Sequence, residues 1–106
     1  MAIAFNHKGT DYTLEFTRDS IKQMERHGFD LNAALSQPVT SVATLFRGAF
    51  SAHHPHVSQT TVDEIWDGME NKNGLFEALI DLYNEPLEAL MEEPEEGKKI
   101  EWKVVK

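Results

Sequence analysis

The sequence predicts a mainly α-helical fold with a small β element: an N-terminal β-hairpin, which a C-terminal strand could join, packed on a bundle of about four to five helices. In residues 2–16, large apolar residues alternate with alanine before a glycine-containing turn and with polar residues after it, which is typical of a hairpin. In residues 17–93, apolar residues recur every three or four positions, which is typical of amphipathic helices. In residues 100–104 the alternation returns. We therefore expect one helical domain over residues 1–93, followed by a linker and a strand-like tail over residues 94–106.

Composition limits the class of protein. With 106 residues, of which 41% are hydrophobic, the chain is long enough for one domain with its own core. Ten basic residues against eighteen acidic ones give a net charge of −8, which disfavours nucleic acids and anionic membranes as partners because both are negatively charged. The absence of cysteine excludes a disulfide scaffold, a thiol nucleophile and a cysteine-based zinc site. Neither a signal peptide nor the roughly 20 apolar residues that span a bilayer are found, so we expect a cytoplasmic protein.

The predicted hairpin leads directly into the first helix. A two-stranded hairpin is marginal in water, so its face of Phe5, Leu14 and Phe16 should lie against the helices. Thr17 is placed as the N-cap of the first helix, and Phe16 and Ile21 are spaced for a hydrophobic staple.

Turn and cap residues divide the next stretch. Gly28 should end the first helix in a left-handed conformation, and Asp30 can cap a short helix over residues 31–36. Pro38 suits the opening turn of the central helix.

The central helix, expected to end near His54 because Pro55 follows, is the most apolar part of the chain. Gly48 costs about 1 kcal/mol in a helix relative to alanine, so we expect a neighbouring helix to approach closely there. Leu45 widens the apolar stripe, and Ser41 is one of the few residues left for water. The predicted core stripe consists of Val39, Val42, Ala43, Phe46, Ala49, Phe50 and His53.

Two further helices are expected before the tail. The first would be capped by Thr61, in capping-box spacing with Glu64, or by Ser58 or Thr60 instead, and its apolar face comprises Val62, Ile65, Trp66 and Met69. Residues 71–74 should form a loop, and the last helix should begin near Leu75. Pro86 lies inside this helix and should kink or break it.

The sequence predicts no catalytic, cofactor-binding or metal-binding residues. His53, His54 and His56 form the one cluster of metal-ligand side chains, but neighbouring helical residues diverge by about 100°. No His-Glu-x-x-His spacing or nearby carboxylate completes a site, so we interpret these histidines as stabilising a helix C-terminus. The carboxylate pairs lie on polar helical faces, and no serine has a nucleophile-elbow context.

The C-terminal part has two features suited to contacts with other chains. Residues 85–96 are rich in glutamate and would either solvate a helix end or bind a basic partner. Ile100, Trp102 and Val104 fall on one side of a strand, which would either extend the hairpin or bind another molecule.

Between about residues 12 and 91 the chain resembles the phage tail assembly chaperones, in the small form found in siphophages. The matching stretches are the strand-to-helix entry at residues 12–17, the Met-Glu-x-x-Gly helix end at 24–28, the central helix at 45–50, the helix start at 61–65 after a His-Pro turn, and the Gly-Leu-Phe-x-x-Leu-x-x-Leu-Tyr helix at 74–83. These are patterns of packing and capping.

The resemblance implies a non-enzymatic protein of a phage or prophage that acts in the host cytoplasm and is absent from the mature virion. Its expected partners are the tape-measure protein and the tail-tube protein, whose polymerisation it would assist. The sequence leaves open whether the chain also forms a homo-oligomer. A helical partner could cover an apolar stripe of this chain. The candidate partner-binding residues are Leu87, Leu90 and Met91 in the last helix and Ile100, Trp102 and Val104 in the tail.

The charge of −8 motivates a different class of function. An acidic inhibitor, or DNA mimic, would bind a basic nucleic-acid-binding protein, and its binding would weaken strongly with salt.

Overall fold

A computed structural model describes the backbone of residues 1–106 and every side chain except those of residues 34 and 35. It confirms the mainly α-helical class with a small β element, because a two-stranded N-terminal hairpin packs against four α-helices. The elements in chain order are β1 (Ile3–His7), β2 (Thr10–Leu14), α1 (Arg18–Arg26), a 3-10 helix (Leu31–Leu35), α2 (Pro38–Phe50), α3 (Gln59–Gly68) and α4 (Lys72–Leu90).

The hairpin is closed by a two-residue turn. Lys8 and Gly9 both have positive φ, +50° and +84°, as a type I′ turn requires, and this turn matches the twist of the flanking strands. The strands pair antiparallel, from Ile3 opposite Leu14 to His7 opposite Thr10. The sheet in the described chain has these two strands alone, so of the two alternatives for the tail, the one that extends its own hairpin does not occur.

The hairpin rests on the helices, as its apolar face predicts. Leu14 and Phe16 are buried, and the Phe5 ring stacks on the Tyr12 ring at 5.4 Å between centroids. Both rings meet Phe50 of α2 edge-on, at 6.3 and 5.8 Å. The hairpin therefore gains from α2 the burial that it lacks alone.

The predicted boundaries of α1 are confirmed by hydrogen bonds. The Thr17 hydroxyl accepts the Ser20 N–H at 3.1 Å and the Ser20 hydroxyl accepts the Thr17 N–H at 2.8 Å, which completes a reciprocal cap. Gly28 follows the helix with a φ of +89°. The Asp30 carboxylate accepts the Asn32 N–H at 2.9 Å and so caps the short helix, which is a 3-10 helix ending at Leu35 rather than at Ser36.

α2 lies at the centre of the fold and contacts the other helices and β2. The predicted close approach at Gly48 is confirmed, since a Cβ built there would lie 2.5 Å from the Met24 sulfur of α1. The predicted stripe is wrong at its N-terminal end, where Val39 is 87% exposed and Ala43 is also exposed.

Another side of α2 faces the core. Ser41, expected at the surface, is buried with Leu45 and Gly48 on the side of α2 that faces α1 and the segment after it. The helix ends at Phe50 and is followed by a turn. In this turn the His54 N–H donates to the Phe50 carbonyl at 2.7 Å. His53 is correspondingly exposed rather than part of the stripe.

The last two helices differ from expectation at their starts. Ser58, one of the alternatives, caps α3, since its hydroxyl accepts the Thr61 N–H at 3.2 Å. The expected loop at residues 71–74 is wrong, because α4 begins at Lys72. Asn71 caps it from a left-handed conformation by accepting the Gly74 N–H. A residue type common in loops thus serves here as a cap.

Pro86 does not break α4, which continues to Leu90. The proline lies in the last five residues, so the helix after it is short. No helix among the described residues is both long and apolar enough to cross a membrane.

Candidate partner-binding surface

Exposed large hydrophobic side chains concentrate at the C-terminal end of the chain. Of the nine in the described part of the structure, only Met1 and Val39 lie elsewhere. The other seven include all six residues that the sequence singled out, together with Val105, which it did not: Leu87, Leu90, Met91, Ile100, Trp102, Val104 and Val105. Most of the exposed large apolar side chains of the described structure thus lie between residues 87 and 105 of the sequence.

Leu87 and Leu90 lie in a groove between α1 and α4, which we call the α1–α4 groove. It has a volume of about 240 Å³, and Ile21 and Pro86 complete its apolar lining. Leu90 is 57% exposed, so the groove is open at the end of α4. The spacing of three residues between the leucines places both on one side of the helix, where an apolar partner could contact them together.

The rim of the α1–α4 groove is charged, which the sequence analysis did not anticipate. Arg18, Lys22 and Glu25 of α1 line it. Arg18 and Lys22 are four residues apart on either side of Ile21, and this spacing is the signal that could have placed them together. The groove is therefore apolar at its floor and mostly basic at its rim, although the chain as a whole is acidic.

The tail does not join the groove. A turn at residues 95–98, in which the Lys98 N–H donates to the Glu95 carbonyl at 3.0 Å and Gly97 has a φ of +89°, reverses the chain. Trp102 is 82% exposed, and Ile100 and Val104 are exposed beside it. Among the described contacts, none of the hydrogen bonds, ion pairs or aromatic pairs joins residues 100–106 to the helices or the hairpin. Met91 ends α4 and lies outside the groove lining.

A second groove lies between α2 and α3, and we call it the α2–α3 groove. Val39, Val42 and Ala43, which the sequence assigned to the core, line it together with Trp66. Its volume is about 450 Å³. Because α2 turns its Ser41 side towards the core, Val39, Val42 and Ala43 line this groove instead of packing in the core.

Two histidines of the predicted cluster, His53 and His54, contact residues in or next to β2. His54 Nε2 accepts the Thr13 N–H at 3.0 Å, and its ring lies edge-on to Tyr12 with 5.0 Å between centroids. His53 Nε2 lies 3.5 Å from a Glu15 carboxylate oxygen. His54 thus holds β2 against the end of α2, and no group of three metal-ligand side chains occurs within the part described.

Two ionisable groups have shifted pKa values, and neither lies in the α1–α4 groove. The hydrogen bond and the positive charge of Lys8 lower the pKa of Glu64, which joins the hairpin turn to α3, and His7 adds to the effect. Burial raises the pKa of Tyr83, and the negative charges of Glu25 and Asp30 contribute. Both shifts follow from the packing of the fold.

Comparison with known proteins places the chain in a family. No curated protein and no solved structure gives a significant match. A family model described as a domain of unknown function, DUF5055, matches residues 1–105, and the chain therefore belongs to that family.

Proposed function

We propose that this protein is a non-enzymatic phage tail assembly chaperone, which binds the tape-measure protein and assists polymerisation of the tail-tube protein in the host cytoplasm, without entering the mature virion. The observation that carries the proposal is the concentration of uncovered apolar side chains between residues 87 and 105. A protein that shields another chain during assembly needs such a surface, whereas a monomer without a partner gains nothing from it. The resemblance of residues 12–91 to this class of chaperone supports the choice of partner.

The α1–α4 groove fits a helical partner. Leu87 and Leu90 project from one side of α4. An amphipathic partner helix, with apolar residues at intervals of three and four, could pack its apolar stripe against these two leucines. Arg18 and Lys22 at the rim would pair with acidic residues flanking that stripe. We therefore expect the bound tape-measure segment to be helical, apolar on one side and acidic beside it.

Two observations support the non-enzymatic part of the proposal. The Nε2 atom of His54 is not free to act as a general base, because it accepts the Thr13 N–H, and the His54 ring packs on Tyr12. The carboxylates of Glu77, Asp81 and Glu88 in α4 are exposed, where a carboxyl lacks the dry surroundings that a general acid requires.

The proposal is tested by capture of a tape-measure fragment on the immobilised protein. We expect Leu90→Asp to reduce capture at least about tenfold, because it places a charge in the apolar floor of the α1–α4 groove. Val39→Asp is the matched control, since it introduces the same charge at an exposed apolar residue of the α2–α3 groove. Loss of capture with Val39→Asp alone would assign binding to the α2–α3 groove instead.

Trp102→Ala tests the tail in the same assay, with Val105→Ala as a control in the same exposed segment. We expect a loss of at least about threefold from removal of the indole, which buries up to about 250 Å² when covered. Unchanged capture by both Leu90→Asp and Trp102→Ala would contradict the proposed surfaces. No binding of the wild-type chain to any tape-measure fragment would contradict the function.

A second candidate is an acidic inhibitor of a basic nucleic-acid-binding protein. It is favoured by the exposed glutamates that follow Pro86, although Glu95 and Glu96 are partly neutralised by Lys98 and Lys99 at 3.6 and 2.8 Å. The two functions differ in salt dependence. An inhibitor of this kind would lose affinity steeply with salt, whereas a chaperone that binds mainly through apolar side chains of the α1–α4 groove, with two basic residues at its rim, would show a modest salt dependence. Neighbouring genes for a tail-tube protein and a very long helical protein would favour the chaperone.

A further inference from the structure

The two outer edges of the hairpin differ. Along β2, the Thr13 N–H donates to His54 Nε2 and the Glu15 N–H donates to the Ala49 carbonyl, both at 3.0 Å, so the end of α2 covers this edge. The Thr13 N–H therefore points away from β1, and Thr13 pairs with Ala4 in the register. In an antiparallel ladder, such a pair directs the backbone groups of both residues outward, so those of Ala4 lie on the opposite outer edge.

The outer edge of β1 is open. The alternation of the ladder directs the backbone groups of Asn6 outward as well, and the described backbone hydrogen bonds outside the ladder include none from Ala4 or Asn6. Ala2, Ala4 and Asn6 are exposed, and they are small or uncharged. Protected edges carry lysine, proline or a bulge, and β1 has none of these. The edge can therefore accept another strand.

The tail has the properties of the missing strand. Residues 100–104 match the five-residue length of β1 and contain neither proline nor glycine. Apolar Ile100, Trp102 and Val104 alternate with charged Glu101 and Lys103, and these side chains are exposed. On an added strand the apolar ones would continue the helix-facing side of the hairpin.

The helix-facing side of the hairpin has room for these side chains. Ile3 and Phe5 of β1 are only partly buried there, whereas Leu14 of β2 is fully buried. A third strand beside β1 would cover the remaining exposed part of Ile3 and Phe5 with its own apolar side chains.

We propose that residues 100–104 of one copy add to the β1 edge of a second copy, and that the exchange is reciprocal, so the free protein is a strand-exchanged dimer. The tail does not join its own hairpin, and the charges of the chain are complementary to a second copy as the occupant. Residues 98–106 carry four lysines against one glutamate, a charge of +3, whereas residues 1–97 carry six basic and seventeen acidic side chains, a charge of −11. Each basic tail thus meets an acidic body. The nine residues 91–99 span up to about 30 Å when extended, enough for the tail to leave its own domain.

The area also suffices for a dimer. Ile100, Trp102 and Val104 together expose on the order of 400 Å² per copy, of which the indole supplies about half. Two tails, and the equal surface that they cover on the acceptors, give about 1,600 Å², which is the size of a standard stable interface.

Sedimentation velocity over a concentration series tests the proposal. We expect a dimer of twice 12.1 kDa that Trp102→Pro weakens at least about tenfold, because the indole, which supplies about half of the apolar area of the tail, is lost. Lys99→Pro is the matched control, since it places the same residue in the same tail but outside the strand segment, and we expect no change. The tail makes no described contact with the helices, so neither variant alters the folded domain.

Cysteine cross-linking identifies the contact, because the chain has no cysteine of its own. We expect a chain with Ala4→Cys to form a disulfide with a separate chain carrying Glu101→Cys or Lys103→Cys, since all three lie on the outer side of the sheet. Ala89→Cys, at an exposed position of α4, is the control acceptor and should not cross-link.

Three results would overturn the dimer: a monomer at every concentration, a dimer that Trp102→Pro leaves unchanged, or a disulfide within one chain that carries both cysteines. None of these measurements involves a tape-measure protein. Failure of this inference is therefore distinguishable from failure of the proposed function.

Discussion

Replacing Gly48 with alanine should destabilise the protein, although alanine is the better helix former. A Cβ at this position would lie 2.5 Å from the sulfur and 2.7 Å from the terminal methyl of Met24, and 3.3 Å from its Cγ. The gain in helix propensity is about 1 kcal/mol. The Met24 side chain must move, and a buried methionine that loses its packing costs about 1.5–3 kcal/mol. We expect a net loss of about 1 kcal/mol in the free energy of unfolding.

The flexibility of the methionine limits this cost without removing it. An adjoining open cleft of about 190 Å³, lined by Met24, His27, Arg47 and Pro55, could receive the thioether. A thioether turned into this cleft would be exposed to water, and the apolar burial that it has beside Gly48 would be lost.

Urea denaturation of a double-mutant cycle measures the effect. In the background of Met24→Ala the obstructing atoms are absent, so Gly48→Ala should there stabilise the protein by about 1 kcal/mol. The coupling between the two positions should thus be about 2 kcal/mol. Gly68→Ala is the control, because nothing lies within 4 Å of its added Cβ. If Gly48→Ala stabilises both backgrounds equally, the close approach of α1 and α2 at this glycine is refuted.

Two further predictions concern the ends of the hairpin. Thr17→Ala removes one half of the reciprocal cap of α1 and should lower the free energy of unfolding by about 1 kcal/mol, whereas Thr60→Ala, at an exposed position of α3, should change it by less than about 0.5 kcal/mol in the same denaturation assay. Lys8→Ala should raise the pKa of Glu64 towards its usual value, as measured by side-chain carboxyl NMR. Because the folded pKa of Glu64 is depressed, its pairing with Lys8 stabilises the protein above the unfolded pKa, and this contribution is lost as the pH falls through the folded pKa. A Thr17→Ala variant as stable as wild type, or a Glu64 pKa unmoved by Lys8→Ala, would contradict the respective contact.

The proposed chaperone activity and the proposed dimer share the tail, because Trp102 is a candidate contact residue in both. The α1–α4 groove lies on the helices, whereas the tail and the β1 edge would join two copies. A strand-exchanged dimer would leave both grooves open, so two tape-measure segments could bind one dimer. If a partner instead takes the tail, binding should compete with dimerisation, and the concentration dependence of capture distinguishes these outcomes.

The local signals in the sequence determined the elements and most of their ends. Thr17, Gly28 and Asp30 act at the positions where their side chains or backbone angles predict, because caps and turns are made by hydrogen bonds between residues a few positions apart. Leu90 and Trp102, which the sequence marked as partner-binding, are both exposed.

Tertiary structure decided which side of α2 is buried and which other parts of the chain the end of α2 and the tail contact. Val39 fits the apolar period of α2 but is exposed, and Ser41 breaks the period but is buried, because α1 and the segment after it pack on the Ser41 side. His54 accepts a hydrogen bond from Thr13 of β2, which lies 41 positions away in the sequence. The tail does not pair with the hairpin, although both have the same alternation of side chains. Hydrophobic periodicity identifies the apolar side of a helix, but the side that a neighbouring element covers depends on the packing of the whole chain.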